Sequence, residues 1–102
     1  MHHLKGHLPT HEPSRYLVGL CSHFRRKIEV EYTDTQGLAR FPWGDCVLKA
    51  QEGALEFECH AMSDENLKQL QYVLNEHIAL FSRRAPMTVH WQIPANNGTF
   101  ME

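Results

Sequence analysis

The chain lacks a basic surplus, a membrane-length apolar run, a paired-cysteine motif and the common catalytic fingerprints. Its 102 residues carry ten Lys and Arg against twelve Asp and Glu, a formal charge of −2. Proteins that grip nucleic-acid backbones neutralise phosphates with clustered Lys and Arg, so nonspecific nucleic-acid binding is disfavoured. No apolar stretch approaches the roughly 18 residues a membrane helix needs. The opening MHHLKGHLPT has neither the apolar segment nor the small-residue cleavage site of a signal peptide. Three cysteines are an odd number without CxxC spacing, which signals neither a disulfide framework nor a short-spaced zinc site. These absences together predict a cytoplasmic protein with reduced thiols and no membrane contact. Gly-rich phosphate loops, HExxH, GxSxG, nucleotide fingerprints and RNA-binding aromatic motifs are missing as well. No catalytic residue and no cofactor is therefore named by the sequence, and a chain that catalyses nothing by itself is expected.

What the sequence does hold is eight histidines and clear periodicity. A chain of this length makes one domain, read as residues 1–94, with residues 95–102 as a polar, turn-rich tail. His3 to Leu8 alternates, with Leu4, Gly6 and Leu8 on one side and His3, Lys5 and His7 on the other, as a short strand would. Pro9 to Pro13 interrupts it, and Thr10 or Ser14 is placed to cap a helix. In that helix Leu17, Leu20, Cys21, Phe24 and Ile28 share one stripe. His23 falls far around the axis from Cys21, so the two cannot form a catalytic dyad with each other.

The period then becomes two. Ile28, Val30 and Tyr32 alternate with Glu29, Glu31 and Thr33; Asp34 to Gly37 reads as a turn; strands follow at Leu38 to Pro42, Asp45 to Gln51 and Ala54 to His60. Ser63 caps a second helix whose stripe is Leu67, Leu70, Leu74, Ile78 and Phe81, with His77 on it. MTVHWQI, residues 87–93, alternates as a last strand with Met87, Val89, Trp91 and Ile93 inward. The expected fold is α+β: a single antiparallel sheet with both helices on one face, in the order β-α-β-β-β-β-α-β, and the other sheet face open. The first and last strands are read as edges free to pair between subunits, which would give a homo-oligomer.

Four candidate constellations follow. A two-residue turn at Glu52 and Gly53 pairs Gln51 with Ala54, and counting outward sets Cys46 opposite Cys59, Leu48 opposite Phe57 and Ala50 opposite Leu55. Directly opposed positions and a reducing compartment favour two packed thiols over a disulfide. Cys21, Cys46, Cys59 and His77 all read as inward, either as ordinary core or as a Cys₃His metal site. His60 and His90, with Glu56 and Glu58, read as outward, suited to a divalent ion or a polar ligand. Tyr16, His23, Lys27 and Arg40, with Arg15 nearby, could line an anion-binding edge. The chain is thus expected to be a binding or accessory module for an unknown small ligand or protein partner. A metal-binding protein using Cys and His ligands, and a thiol-dependent enzyme using Cys21 or Cys46 with His77, are the alternatives.

The stretches SRYLVGLCSHFRRK, IEVEY, FPWGDC, NEHIALFSRR and MTVHWQ resemble a family of small bacterial proteins known as domain of unknown function twenty-two eighteen. The resemblance runs from the N-terminal strand to Trp91. It implies a β-α-β(4)-α core similar to the TATA-binding protein and to the C-terminal domain of phosphohexomutases, with the strand at 87–93 as an addition. Relatives beside or fused to siderophore-interacting flavin reductases imply an accessory part in iron or siderophore metabolism, with such a reductase as a partner. Fold similarity alone carries neither DNA binding nor sugar-phosphate chemistry.

Overall fold

The computed structural model describes residues 2–82 and 87–92. Its elements are β1 (His2–Pro9), α1 (Pro13–Phe24), β2 (Glu29–Tyr32), β3 (Gln36–Phe41), β4 (Gly44–Gln51), β5 (Ala54–Ala61), α2 (Asp64–Phe81) and β6 (His90–Gln92). The six strands form one antiparallel sheet in the order β2-β3-β4-β5-β1-β6. This is the α+β architecture and element order that the periodicity predicts. Ile93 and the tail expected at residues 95–102 lie outside the described residues.

The central meander follows from local chemistry. Gly53, at φ 79, turns β4 into β5 where other residues would be strained. The predicted register is the observed one: Gln51 pairs with Ala54, Ala50 with Leu55, Leu48 with Phe57 and Cys46 with Cys59. Ser63 caps α2 by accepting a hydrogen bond from the Asn66 N–H at 3.1 Å.

Several local expectations are corrected. β1 is no edge strand: it pairs with β5 along its whole length and with β6 on its other side, so the edges are β2 and β6. The reason is apolar pairing, since Leu4 and Leu8 lie opposite Cys59 and Leu55 in the core. Neither Thr10 nor Ser14 caps α1; the N-cap is Glu12 with Pro13 opening the helix, and the Thr10 hydroxyl instead accepts from the Glu12 N–H at 3.1 Å. Gly37 is a strand residue rather than part of a turn. A Cβ there would stand 2.7 Å from Cys21 Sγ, so glycine lets α1 approach the sheet.

Both helices cover one sheet face. Leu17, Leu20, Cys21 and Phe24 of α1 and Leu67, Leu70, Leu74 and Ile78 of α2 close over Leu4, Leu8, Cys46, Leu48, Leu55, Phe57 and Cys59. Each such large apolar side chain contributes roughly 1.5–3 kcal/mol by leaving water. The helices run antiparallel where they meet, with Gly19 beside Phe81 and His23 beside His77. Phe81 therefore leaves the predicted core stripe and lies over α1, where it is 41% exposed.

β6 is attached by one aromatic device. Gly6 pairs with Trp91 on one side and Phe57 on the other, and the indole lies across the glycine to within 5.9 Å of the Phe57 ring. A Cβ at Gly6 would stand 2.7 Å from Trp91 Cζ3. The indole N–H donates to Asn75 Oδ1 at 3.0 Å, tying β6 to α2.

Candidate functional site

Three regions outside the core gather chemistry: the open sheet face, the seam where the helices meet, and a groove at one end of that seam.

The open face is ordered by the strand register into rows that cross the sheet. One row reads Glu29, Arg40, Asp45, His60, His3; the next Glu31, Leu38, Val47, Glu58, Lys5, Gln92; the third Gln36, Lys49, Glu56, His7, His90. Within each row opposite charges stand side by side, as favourable cross-strand pairs do. Arg40 reaches Glu29 at 3.9 Å, and the His7 Nδ1–H donates to the Glu56 carboxylate. Three cations, Lys5, Arg40 and Lys49, face five carboxylates, Glu29, Glu31, Asp45, Glu56 and Glu58. The outward His60 and His90 do not meet. His60 packs edge-to-face on His3, ring centroids 4.5 Å apart, whereas His90 lies opposite His7.

On the covered face the three cysteines are free thiols, all fully buried. The Cys59 thiol donates to Cys46 Sγ at 3.7 Å. That hydrogen bond, burial and the neighbouring thiols of Cys59 and Cys21 hold the Cys46 thiol well above its ordinary pKa. Burial pushes Cys21 up to about 11. A thiol so held is a poor nucleophile at neutral pH. His77 does not join the thiols, so the inward Cys21, Cys46, Cys59 and His77 set is not assembled. Among the described residues no group of three or more His, Cys, Asp or Glu side chains could hold a metal ion.

His77 instead lies half-buried at the seam of the helices. Its Nδ1–H donates to the Val73 carbonyl at 2.8 Å. Its ring stands 4.7 Å from that of His23 and 4.9 Å, edge-on, from Phe24. Phe24 in turn meets Phe41, which stacks on Trp43 at 5.7 Å. Slight desolvation, the His77 ring and the cations Arg26 and Lys27 lower the pKa of His23.

The groove lies between the N-terminal half of α1 and the C-terminal end of α2, with a volume of about 910 Å³. Its apolar lining is Val18, Leu80, Phe81 and Met87; its polar side is Thr10, His11, Glu12, Arg15 and Tyr16. Val18, Leu80 and Phe81 are 36%, 53% and 41% exposed. Arg15 is paired with Glu12 at 3.0 Å.

The predicted anion-binding edge is thus split. Tyr16 lines the groove, His23 stands at the seam and Lys27 follows the last turn of α1, but Arg40 lies on the open face, beyond the sheet from all three. Arg40 follows Ala39, which takes the core-facing position, so the period of two turns Arg40 outward. Val18, Leu80 and Met87 line the groove although the sequence pattern does not mark them as site residues. The available signal was that Val18 and Leu80 are apolar yet fall outside both helical stripes.

Residues 5–92 match the family described as "Uncharacterized protein conserved in bacteria (DUF2218)". Among solved structures, the NMR structure of PA4090 from Pseudomonas aeruginosa is similar, with a TM-score of 0.76 and 26% sequence identity over 90% of this chain and 96% of that one. No curated protein matches the chain. No helix among the described residues is long and apolar enough to cross a membrane. With the family match spanning nearly every element of the fold, the chain belongs to the uncharacterised bacterial family DUF2218.

Proposed function

We propose that the protein is a small cytoplasmic binding or accessory module that takes a ligand with an apolar body and a polar end in the groove between α1 and α2. The groove carries this reading. Its volume of about 910 Å³ falls in the range of small-molecule sites, roughly 300–1,000 Å³. Its uncovered Val18, Leu80 and Phe81 offer apolar contact, while Tyr16, Arg15 and His11 supply donors on one side.

The module has no catalysis of its own in this reading. The thiol-dependent alternative is disfavoured by the full burial of all three cysteines, with the Cys21 and Cys46 thiols raised above their ordinary pKa, and Cys₃His metal binding by the engagement of His77 with the Val73 carbonyl and by the lack, among the described residues, of any group of three or more side chains that could hold a metal ion. Nucleic-acid binding is disfavoured in this reading, because the described residues of the open face carry more carboxylates than cations. Iron or siderophore metabolism, with a siderophore-interacting reductase as partner, is the setting the family resemblance supports. The likeness to the TATA-binding protein is one of fold alone.

The test uses anilinonaphthalene sulfonate, an aromatic anion with an apolar body. Its fluorescence should rise on the native chain and lose most of that rise with Leu80→Glu or Phe81→Glu, while Glu58→Gln on the open face leaves it unchanged. A rise indifferent to both groove substitutions, or no rise at all, would contradict the reading.

A further inference from the structure

His23 and His77 reach the seam from different helices and bring two imidazoles together with ring centroids 4.7 Å apart. Two imidazole nitrogens on one metal at about 2.0–2.1 Å put each centroid about 3.2 Å from the ion, hence roughly 4.5–5.2 Å apart for ligand angles of about 90–109°. The observed spacing lies within that interval. A second observation points the same way. The His77 Nδ1–H is committed to the Val73 carbonyl at 2.8 Å, which leaves the lone pair on Nε2. Metal-ligating histidines are oriented by this kind of hydrogen bond from the other ring nitrogen. The His3 and His60 pair has similar spacing, 4.5 Å, but neither ring is held by a hydrogen bond among the described residues.

Two protein ligands cannot hold a bare ion firmly, and no third His, Cys, Asp or Glu joins them among the described residues. Arg26 and Lys27 stand close enough to His23 to act on its charge. They repel a free cation and attract negatively charged co-ligands. We propose that His23 and His77 form a two-imidazole docking site for a borderline transition ion, of the iron, nickel, copper or zinc class, that arrives inside an anionic chelate with two adjacent coordination positions open. Imidazole nitrogen suits these ions. The site stands apart from the groove reading, because Phe81 borders both but the ligands are the two histidines.

Nickel(II) nitrilotriacetate, an anionic chelate with two adjacent open positions, is the probe, titrated calorimetrically into the untagged full chain. A His3→Ala, His7→Ala background removes the imidazole pairs of the open face. One equivalent should bind in that background, and His23→Ala or His77→Ala should each weaken binding about tenfold or more. His23 is exposed, so His23→Ala keeps the fold by circular dichroism and decides the matter even where His77→Ala disturbs packing. Arg26→Gln with Lys27→Gln should weaken the chelate several-fold and leave free nickel no weaker. Binding unchanged in folded His23→Ala, or no binding in the background protein, overturns the site. Chelate binding indifferent to both cation substitutions overturns the role given to charge.

Discussion

The two faces of β5 make opposite use of one stretch of chain. Leu55, Phe57, Cys59 and Ala61 face the helices and are buried, whereas Glu56, Glu58 and His60 alternate with them toward the open side. Both faces call for the same register. Inside, Leu48 meets Phe57 and Cys46 meets Cys59; outside, Lys49 meets Glu56 and Lys5 meets Glu58. A slip of one residue would expose the core and bury carboxylates. The inner face therefore sets stability, and the outer one sets charge at small energetic weight.

The comparison breaks most visibly at Phe57. Phe57→Ala should cost about 3–5 kcal/mol, the usual range for a buried aromatic, read as a lower urea midpoint, and a loss below about 1 kcal/mol would mean the inner face is not what holds the fold. Gly6→Val should cost about 1–3 kcal/mol by overpacking and change Trp91 fluorescence as the indole is forced off Phe57. Glu58→Lys sets like charges opposite at Lys5 and should cost at most about 1 kcal/mol, with high salt narrowing the difference.

Two pH effects sharpen the same contrast. Burial raises Cys21 from 9.0 to about 11, so the folded chain holds that proton more tightly than the unfolded one. Its contribution to stability is complete below about pH 9 and is lost as pH rises toward 11. Cys21→Ala should flatten that loss. His23 has the opposite sign: its lowered pKa makes the folded chain resist protonation, so its contribution is present above about pH 6.5 and falls away below it. His23→Gln should flatten this acid limb, the smallest of the effects because the ring is exposed.

What the sequence made legible was local. The β4–β5 register followed from Gly53 and a period of two, and the core stripes of both helices followed from helical spacing, up to Ile78. Strand order was not legible in the same way. That β1 sits between β5 and β6 depends on contacts far apart in sequence, where nothing local marks Leu4 as the partner of Cys59. Gly37 looks like a turn residue until the approach of Cys21 Sγ is known. His23 could be placed on a helix margin but not beside His77, since the angle between two helices is set by their packing. The site residues divided in the same way: Tyr16 and His23 lie along the seam, while Arg40, His60 and His90 belong to the open face.

That division makes the location of binding the most direct test. Amide shifts of ¹⁵N-labelled protein, followed while anilinonaphthalene sulfonate is added, should move at Arg15, Tyr16, Val18, Gly19, Leu80 and Phe81 and stay still at Lys49, Glu56 and Glu58. Shifts concentrated on the latter three, with the groove unmoved, would contradict the account and make the open sheet face the binding surface.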